Sequence, residues 1–141
     1  MHLNKAQRAL LKQKFGGHCA YCGIVLTDKW QADHLIPIIR DWERVKQADG
    51  SYKTVWLPCQ NPEFDTFDNL MPSCPKCNKD KASMPLEGWR DVIKNKVRLL
   101  RNDSRYDFAL RFGLVEEKES KVSFFFETYD NDYSINIKFG D

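Results

Sequence analysis

The sequence predicts an α+β fold, and three observations carry that expectation. Leu86, Trp89, Val92, Ile93, Val97 and Leu100 recur at helical spacing. Apolar residues alternate with period two near the C-terminus, at Val122, Phe124 and Phe126 and again at Tyr133, Ile135, Ile137 and Phe139. Two Cys-x2-Cys pairs, Cys19/Cys22 and Cys74/Cys77, are separated by 51 residues. At 141 residues the chain has the length of one domain, read here as spanning 1–141, and can bury roughly two-thirds of its unfolded surface. A content of 42% hydrophobic and 13% aromatic residues excludes a disordered chain. The tightest apolar cluster, Phe124-Phe125-Phe126, is far short of the ~18 residues of a membrane span. The segment Met1-His2-Leu3-Asn4-Lys5 has no apolar signal core, which predicts a cytoplasmic protein.

Asn4 predicts the cap of a first helix running through Lys12, stopped by Gly16-Gly17. A cysteine turn at 19–23 follows, then an extended stretch over 30–38 that Pro37 keeps at an edge or end. Residues 41–68 form an excursion. Within it, Asp49-Gly50 between Val45–Ala48 and Ser51–Trp56 is a strong hairpin signal. The second cysteine pair opens a short helix through Ser83, ended by Pro85. The apolar stripe predicts one amphipathic helix over 86–101, with Trp89 and Val92 in the core. Asp103 or Ser104 caps a further helix to Phe112, which stops at Gly113. The tail reads as a β-hairpin with a turn at Asp130-Asn131-Asp132, and its Phe124–Phe126 stripe reads as core or dimer contact.

The odd cysteine count without a signal segment argues for metal or redox chemistry over a disulfide framework. Each x2 spacing lets two thiolates from one turn face one ion, and two such turns complete a tetrahedral four-cysteine zinc site. A thioredoxin-like redox pair explains one such turn but not two. Cys59 has no partner at chelating distance, and His18 reads as a bystander of the first pair. Net charge is only +2, but residues 1–115 carry 19 Lys+Arg against 13 Asp+Glu, and residues 116–141 carry 3 against 7. A basic body with an acidic tail suits a phosphate-bearing partner and equally a plain solvated surface.

Several polar residues near the knuckles are not needed by a zinc ion. Asp33 and an Asn78 carbonyl offer hard oxygen ligands suited to Mg²⁺ or Mn²⁺. His34 can take a proton from water near neutral pH. Asn78 and Lys81 would share one helix face, and Lys79 and Lys81 could hold phosphates or merely face solvent. Asn69 could simply form an Asx turn with Leu70-Met71.

The stretches Ala32-Asp33-His34-Leu35-Ile36-Pro37-Ile38, Asp68-Asn69-Leu70-Met71-Pro72-Ser73-Cys74 and Cys77-Asn78-Lys79-Asp80-Lys81-Ala82-Ser83, with both cysteine pairs, resemble the HNH endonucleases in their zinc-containing branch. The resemblance covers roughly residues 15–85, and the remainder is similar, more weakly, to the tails of small phage-encoded HNH proteins. It implies a ββα-metal core over about 15–85, with a C-terminal extension over about 86–141. It implies DNA as partner, no membrane, and a cytoplasmic setting, the host cell's if phage-borne. It assigns His34 as general base, Asp33 and Asn78 as ligands of a catalytic Mg²⁺ or Mn²⁺, and Asn69 as the residue fixing the loop that bears His34; with DNA as partner, the basic side chains Lys79 and Lys81 are expected as phosphate contacts. The structural zinc falls to Cys19, Cys22, Cys74 and Cys77. Asn78 stands where the family more often has His, and the interval from His34 to Asn69 is longer than in compact members. The competing classes are a non-catalytic zinc module that binds nucleic acid and a zinc-stabilised protein-interaction adaptor.

Overall fold

The computed structural model describes residues 2–130, and they form a mixed α+β fold. Helix α1 spans Lys5–Gln13. Asn4 caps it reciprocally with Gln7: Asn4 Oδ1 accepts from the Gln7 N–H at 2.9 Å, and Gln7 Oε1 accepts from the Asn4 N–H at 3.0 Å. Gly16 and Gly17, both at positive φ, end the turn that follows. The cysteine turn at 19–23 then leads to Trp30, which is buried beneath the Arg8 guanidinium at 4.4 Å.

Two antiparallel two-stranded sheets follow. Strand β1 (Gln31–His34) pairs with β4 (Leu70–Ser73), with Asp33 opposite Met71 and His34 opposite Leu70. Strands β2 (Arg40–Lys46) and β3 (Tyr52–Cys59) form a separate hairpin. The turn falls at Asp49-Gly50 as the sequence predicts, but the strands extend well beyond Val45–Trp56. A single 3₁₀ turn, Pro62–Phe64, leads back towards β4. Helix α2 (Pro75–Lys81) starts directly after Cys74 and lies against β1. Pro75 at its first position needs no hydrogen-bond donor there.

The sequence predicts one helix over 86–101, but the stripe forms two, α3 (Leu86–Lys94) and α4 (Lys96–Leu100). The break falls at Asn95, whose side-chain amide and backbone N–H both donate to the Asp91 carbonyl, at 2.8 and 3.1 Å, closing the end of α3. Trp89 is buried as expected, but Val92 is 39% exposed, so the core reading of Val92 is corrected. The stripe covers the core only at Trp89 and, in part, Leu86 and Ile93. Helix α5 (Ser104–Arg111) is capped by Asp103 and followed by Gly113 at φ +69°.

The strand expected across Val122–Phe126 is not formed. Phe125–Thr128 is instead one helical turn, α6. Glu127 accepts from the Phe124 N–H at 2.9 Å, which curls the chain. The Phe125 and Phe126 N–H groups donate to the Tyr21 and Ala20 carbonyls at 2.9 and 2.8 Å, docking the turn on the first cysteine knuckle. The partner strand expected at Tyr133–Phe139 lies outside the described residues.

The core is aromatic. Phe124 stacks on Trp89 at 5.0 Å, and the Tyr21 ring meets Trp89 edge-on at 5.1 Å. Such pairs add about 0.5–1.5 kcal/mol beyond burial. Gly23, at φ +75°, admits Phe125: a Cβ there would lie 2.8 Å from the ring. Among the described residues no helix is long and apolar enough to cross a membrane.

Candidate functional site

The two cysteine turns meet. The Sγ atoms of Cys19, Cys22, Cys74 and Cys77 all lie within 4.8 Å of one another. Among the described residues, this is the one group of three or more Cys, His, Asp or Glu side chains placed to hold a metal ion. Zn–S bonds of ~2.3 Å at tetrahedral angles set thiolates about 3.8 Å apart, and Cys22 Sγ lies 3.8 Å from Cys74 Sγ. Backbone donors point at the sulfurs: the Cys74 N–H at Cys19 Sγ (3.3 Å) and the Cys77 N–H at Cys74 Sγ (3.4 Å). The Cys77 thiol's hydrogen bond, with the N–H groups of Cys22, Cys74 and Tyr21, holds the Cys19 thiol down to about 4 against the effect of burial. Burial pushes the Cys22 thiol up, and the hydrogen bond to Cys19 pushes the Cys77 thiol up; the four Sγ atoms could hold a zinc ion, whose charge would favour their thiolate forms. Cys59 is not part of it, its thiol facing Asn61 Oδ1 at 3.3 Å. Nor is His18, whose Nδ1 lies 3.0 Å from the Gly16 carbonyl.

Asp33 and His34 are successive on β1, so their side chains leave opposite faces. Asp33 is 8% exposed. It accepts a hydrogen bond from the Tyr21 hydroxyl and pairs with Lys81 Nζ at 3.0 Å. Burial, and then the Asp33 charge, push the Tyr21 phenol well above its usual range, so it remains a donor. Lys81 is wholly buried and also donates to the His34 carbonyl at 2.7 Å. An exposed DNA contact is therefore not where Lys81 stands, and that expectation is corrected. Its partner is a carboxylate on the neighbouring strand, brought close because α2 packs on β1. Lys79 is exposed.

Asn78, one turn before Lys81, donates to Gln31 Oε1 at 2.7 Å. The α2–β1 seam thus holds two polar pairs, Asn78–Gln31 and Asp33–Lys81. Asp33 and Asn78 offer the hard oxygens that suit a Mg²⁺-class ion. An ion at Asp33 would share the carboxylate with the Lys81 ammonium.

His34 is half-buried, with Nε2 3.0 Å from Asp65 Oδ1. Arg40 reaches Asp65 Oδ2 at 3.2 Å. An ionised carboxylate can only accept, so Nε2 carries the hydrogen and Nδ1 is the basic nitrogen. Asp65 and Arg40 are absent from the residues selected by sequence, because their spacing from His34 follows no local rule. His34 borders a cleft of about 660 Å³ that Arg8, Arg40, Ile38 and Ser83 also line. With Asp33 it borders a smaller one beside Pro37 and Ala82.

Asn69 clamps the segment after His34. Its Oδ1 accepts from the Ile36 N–H at 2.9 Å, and its Nδ2 donates to the Ile36 and Phe64 carbonyls at 2.8 Å each. Its own carbonyl accepts from the Leu35 N–H at 2.9 Å. Asn61 repeats the device on Pro37 and Ile39, at 3.0 and 2.8 Å. The loop between His34 and β2 is therefore tied to both ends of the return segment, although 41–68 is long.

No protein-family description, curated protein or solved structure matches the chain.

Proposed function

We propose that the chain is a metal-dependent endonuclease of HNH type that hydrolyses DNA phosphodiester bonds. The observation that carries the reading is the His34–Asp65 pair. An imidazole oriented by a carboxylate borders a cleft containing two arginines, on a β–β–α unit that a four-thiol cluster ties to the preceding turn. Asp65, by accepting from Nε2, fixes the tautomer and favours the imidazolium that forms when Nδ1 takes a proton from water. Asn69 holds the backbone beside that imidazole and limits its motion. Arg8 and Arg40 supply positive charge in the cleft where a phosphate would sit, a role the sequence reading gave to Lys79 and Lys81. The Mg²⁺- or Mn²⁺-class ion that Asp33 and Asn78 would hold would contribute charge stabilisation of the attacked phosphate.

A second reading, a non-catalytic zinc-stabilised module that binds nucleic acid, is favoured by the Asp33–Lys81 pair, since a carboxylate already neutralised by a buried ammonium serves structure. Incubating the purified protein with supercoiled plasmid and Mg²⁺ or Mn²⁺ separates the two. Relaxation to the nicked form supports the nuclease. Retarded migration of plasmid that stays supercoiled supports the module.

A further inference from the structure

The β2–β3 hairpin stands outside the core. Every residue of β2 is exposed, as is every residue of β3 except Cys59. Its cross-strand register settles which side chains share a face: Trp42 lies opposite Trp56, Arg44 opposite Thr54 and Lys46 opposite Tyr52. That face carries three aromatic rings and two cations. The other carries Glu43, Val45, Lys53 and Val55. Trp42, Tyr52 and Trp56 are 56%, 57% and 66% exposed. The Arg44 guanidinium stacks 5.0 Å from the Tyr52 ring centroid.

Two exposed tryptophans on one ribbon face mark an interaction surface, and the charge selects the partner. A two-fold self-interface would bring two net-positive faces together, with no acid on either to answer Arg44 and Lys46. A nucleic-acid strand supplies both missing complements, phosphates for the cations and base faces for the rings. In a duplex the base faces are covered by their neighbours, so the rings select unpaired bases.

We propose that the Trp42–Trp56–Tyr52 face of this hairpin, with Arg44 and Lys46, binds single-stranded nucleic acid by stacking. From Trp42 to Lys46 the strand advances about 13 Å, which spans about four bases at ~3.4 Å spacing. The inference rests on nucleic acid being the ligand of this chain, as the proposed function has it, and needs no cleavage.

The test is fluorescence anisotropy of a labelled twelve-nucleotide oligo-dT with the full chain, zinc present and Mg²⁺ and Mn²⁺ omitted, so that cleavage plays no part. The wild type should bind, and a blunt duplex of equal length should compete more weakly. Trp42→Ala and Trp56→Ala should each weaken binding about 5- to 150-fold, whereas Trp42→Phe keeps most of the affinity. Arg44→Ala with Lys46→Ala should lower the salt slope by about 1.4. The oligonucleotide should quench intrinsic emission in the wild type but not in the double Trp→Ala variant. That variant's residual emission, from Trp30 and Trp89 at 8% and 2% exposure, reports that the core is intact. Undiminished binding by the folded double variant would overturn the inference, and so would a duplex that competes as well as the single strand. A dimer that Trp42→Ala abolishes, in a wild type that takes up no oligonucleotide, would overturn it in favour of self-association. A wild type that binds in this way but nicks no plasmid refutes the nuclease reading alone.

Discussion

Asp33→Ala should lower the stability of the chain sharply, apart from any effect on chemistry. Lys81 is wholly buried, and its ammonium has the Asp33 carboxylate at 3.0 Å and the His34 carbonyl at 2.7 Å as its polar partners. Removing the carboxylate leaves a buried charge facing one neutral acceptor. Breaking such a pair costs about 3–5 kcal/mol. The Tyr21 hydroxyl loses its acceptor as well, a loss of ~1–3 kcal/mol that overlaps the first. For a chain of this length, ~4 kcal/mol corresponds to a fall in melting temperature of roughly 10–20 °C. Lys81→Met keeps the length and removes the charge, so the double variant Asp33→Ala/Lys81→Met should recover part of the loss. The assay is thermal unfolding followed by circular dichroism at saturating zinc for the wild type, both single variants and the double. An Asp33→Ala protein that melts within ~2 °C of wild type would refute the buried pair. The same experiment bears on mechanism: loss of cleavage in Asp33→Ala is evidence for a metal ligand only in protein shown to be folded.

Three further outcomes follow from the fold. Native protein should contain one zinc per chain, and Cys19→Ser or Cys74→Ser should lose the metal and melt far lower, whereas Cys59→Ser should be mild; elemental analysis and melting curves check both. Gly23→Ala should cost about 1–3 kcal/mol, because φ is +75° there and the added Cβ would meet the Phe125 ring at 2.8 Å; chemical denaturation reads it. The Lys96 ammonium, then the Trp89 indole N–H, hold the Asp80 carboxyl below its usual range. Its stabilising contribution is therefore present above the unfolded value of ~3.9 and is lost as pH falls through the lowered folded value, so the gap in melting temperature between wild type and Asp80→Asn should narrow on acidification below about pH 4.

What the sequence shows well is local. The Asn4 and Asp103 caps, the turn at Asp49-Gly50, the stop at Gly113 and the chelating geometry of each cysteine pair depend on neighbours within a few positions, and the structure reproduces them. The pairing of the two cysteine turns was also legible, because four thiols need one ion more than they need four separate environments. The failures have a different origin. Period-two alternation at Val122, Phe124 and Phe126 suits a strand, but it equally suits a segment pinned by Tyr21 and Ala20 carbonyls that turns on Glu127. The stripe over 86–101 has helical period throughout, yet the helix breaks at Asn95, where the backbone moves to φ −83°, ψ −6°, and apolar spacing carries no signal for such a break. Lys81 reads as a surface cation because its carboxylate partner lies on a strand from which the long excursion and the second cysteine turn separate it. Asp65, the partner of His34, sits inside that excursion, where no spacing rule points to it.

The central claim is that His34 acts on a phosphodiester bond as a base. The most direct measurement is the rate of supercoiled-plasmid nicking by zinc-loaded His34→Ala beside wild type, both in Mg²⁺ or Mn²⁺ and both checked for equal zinc content and for being folded at the assay temperature. A general base is worth about 10²–10⁴-fold in rate. The account predicts a loss of that size, with zinc content unchanged, stability lowered by no more than about 1 kcal/mol for the lost Asp65 hydrogen bond, and no rescue by high Mn²⁺. A folded His34→Ala protein, free of contaminating nuclease, that nicks plasmid at the wild-type rate would contradict it.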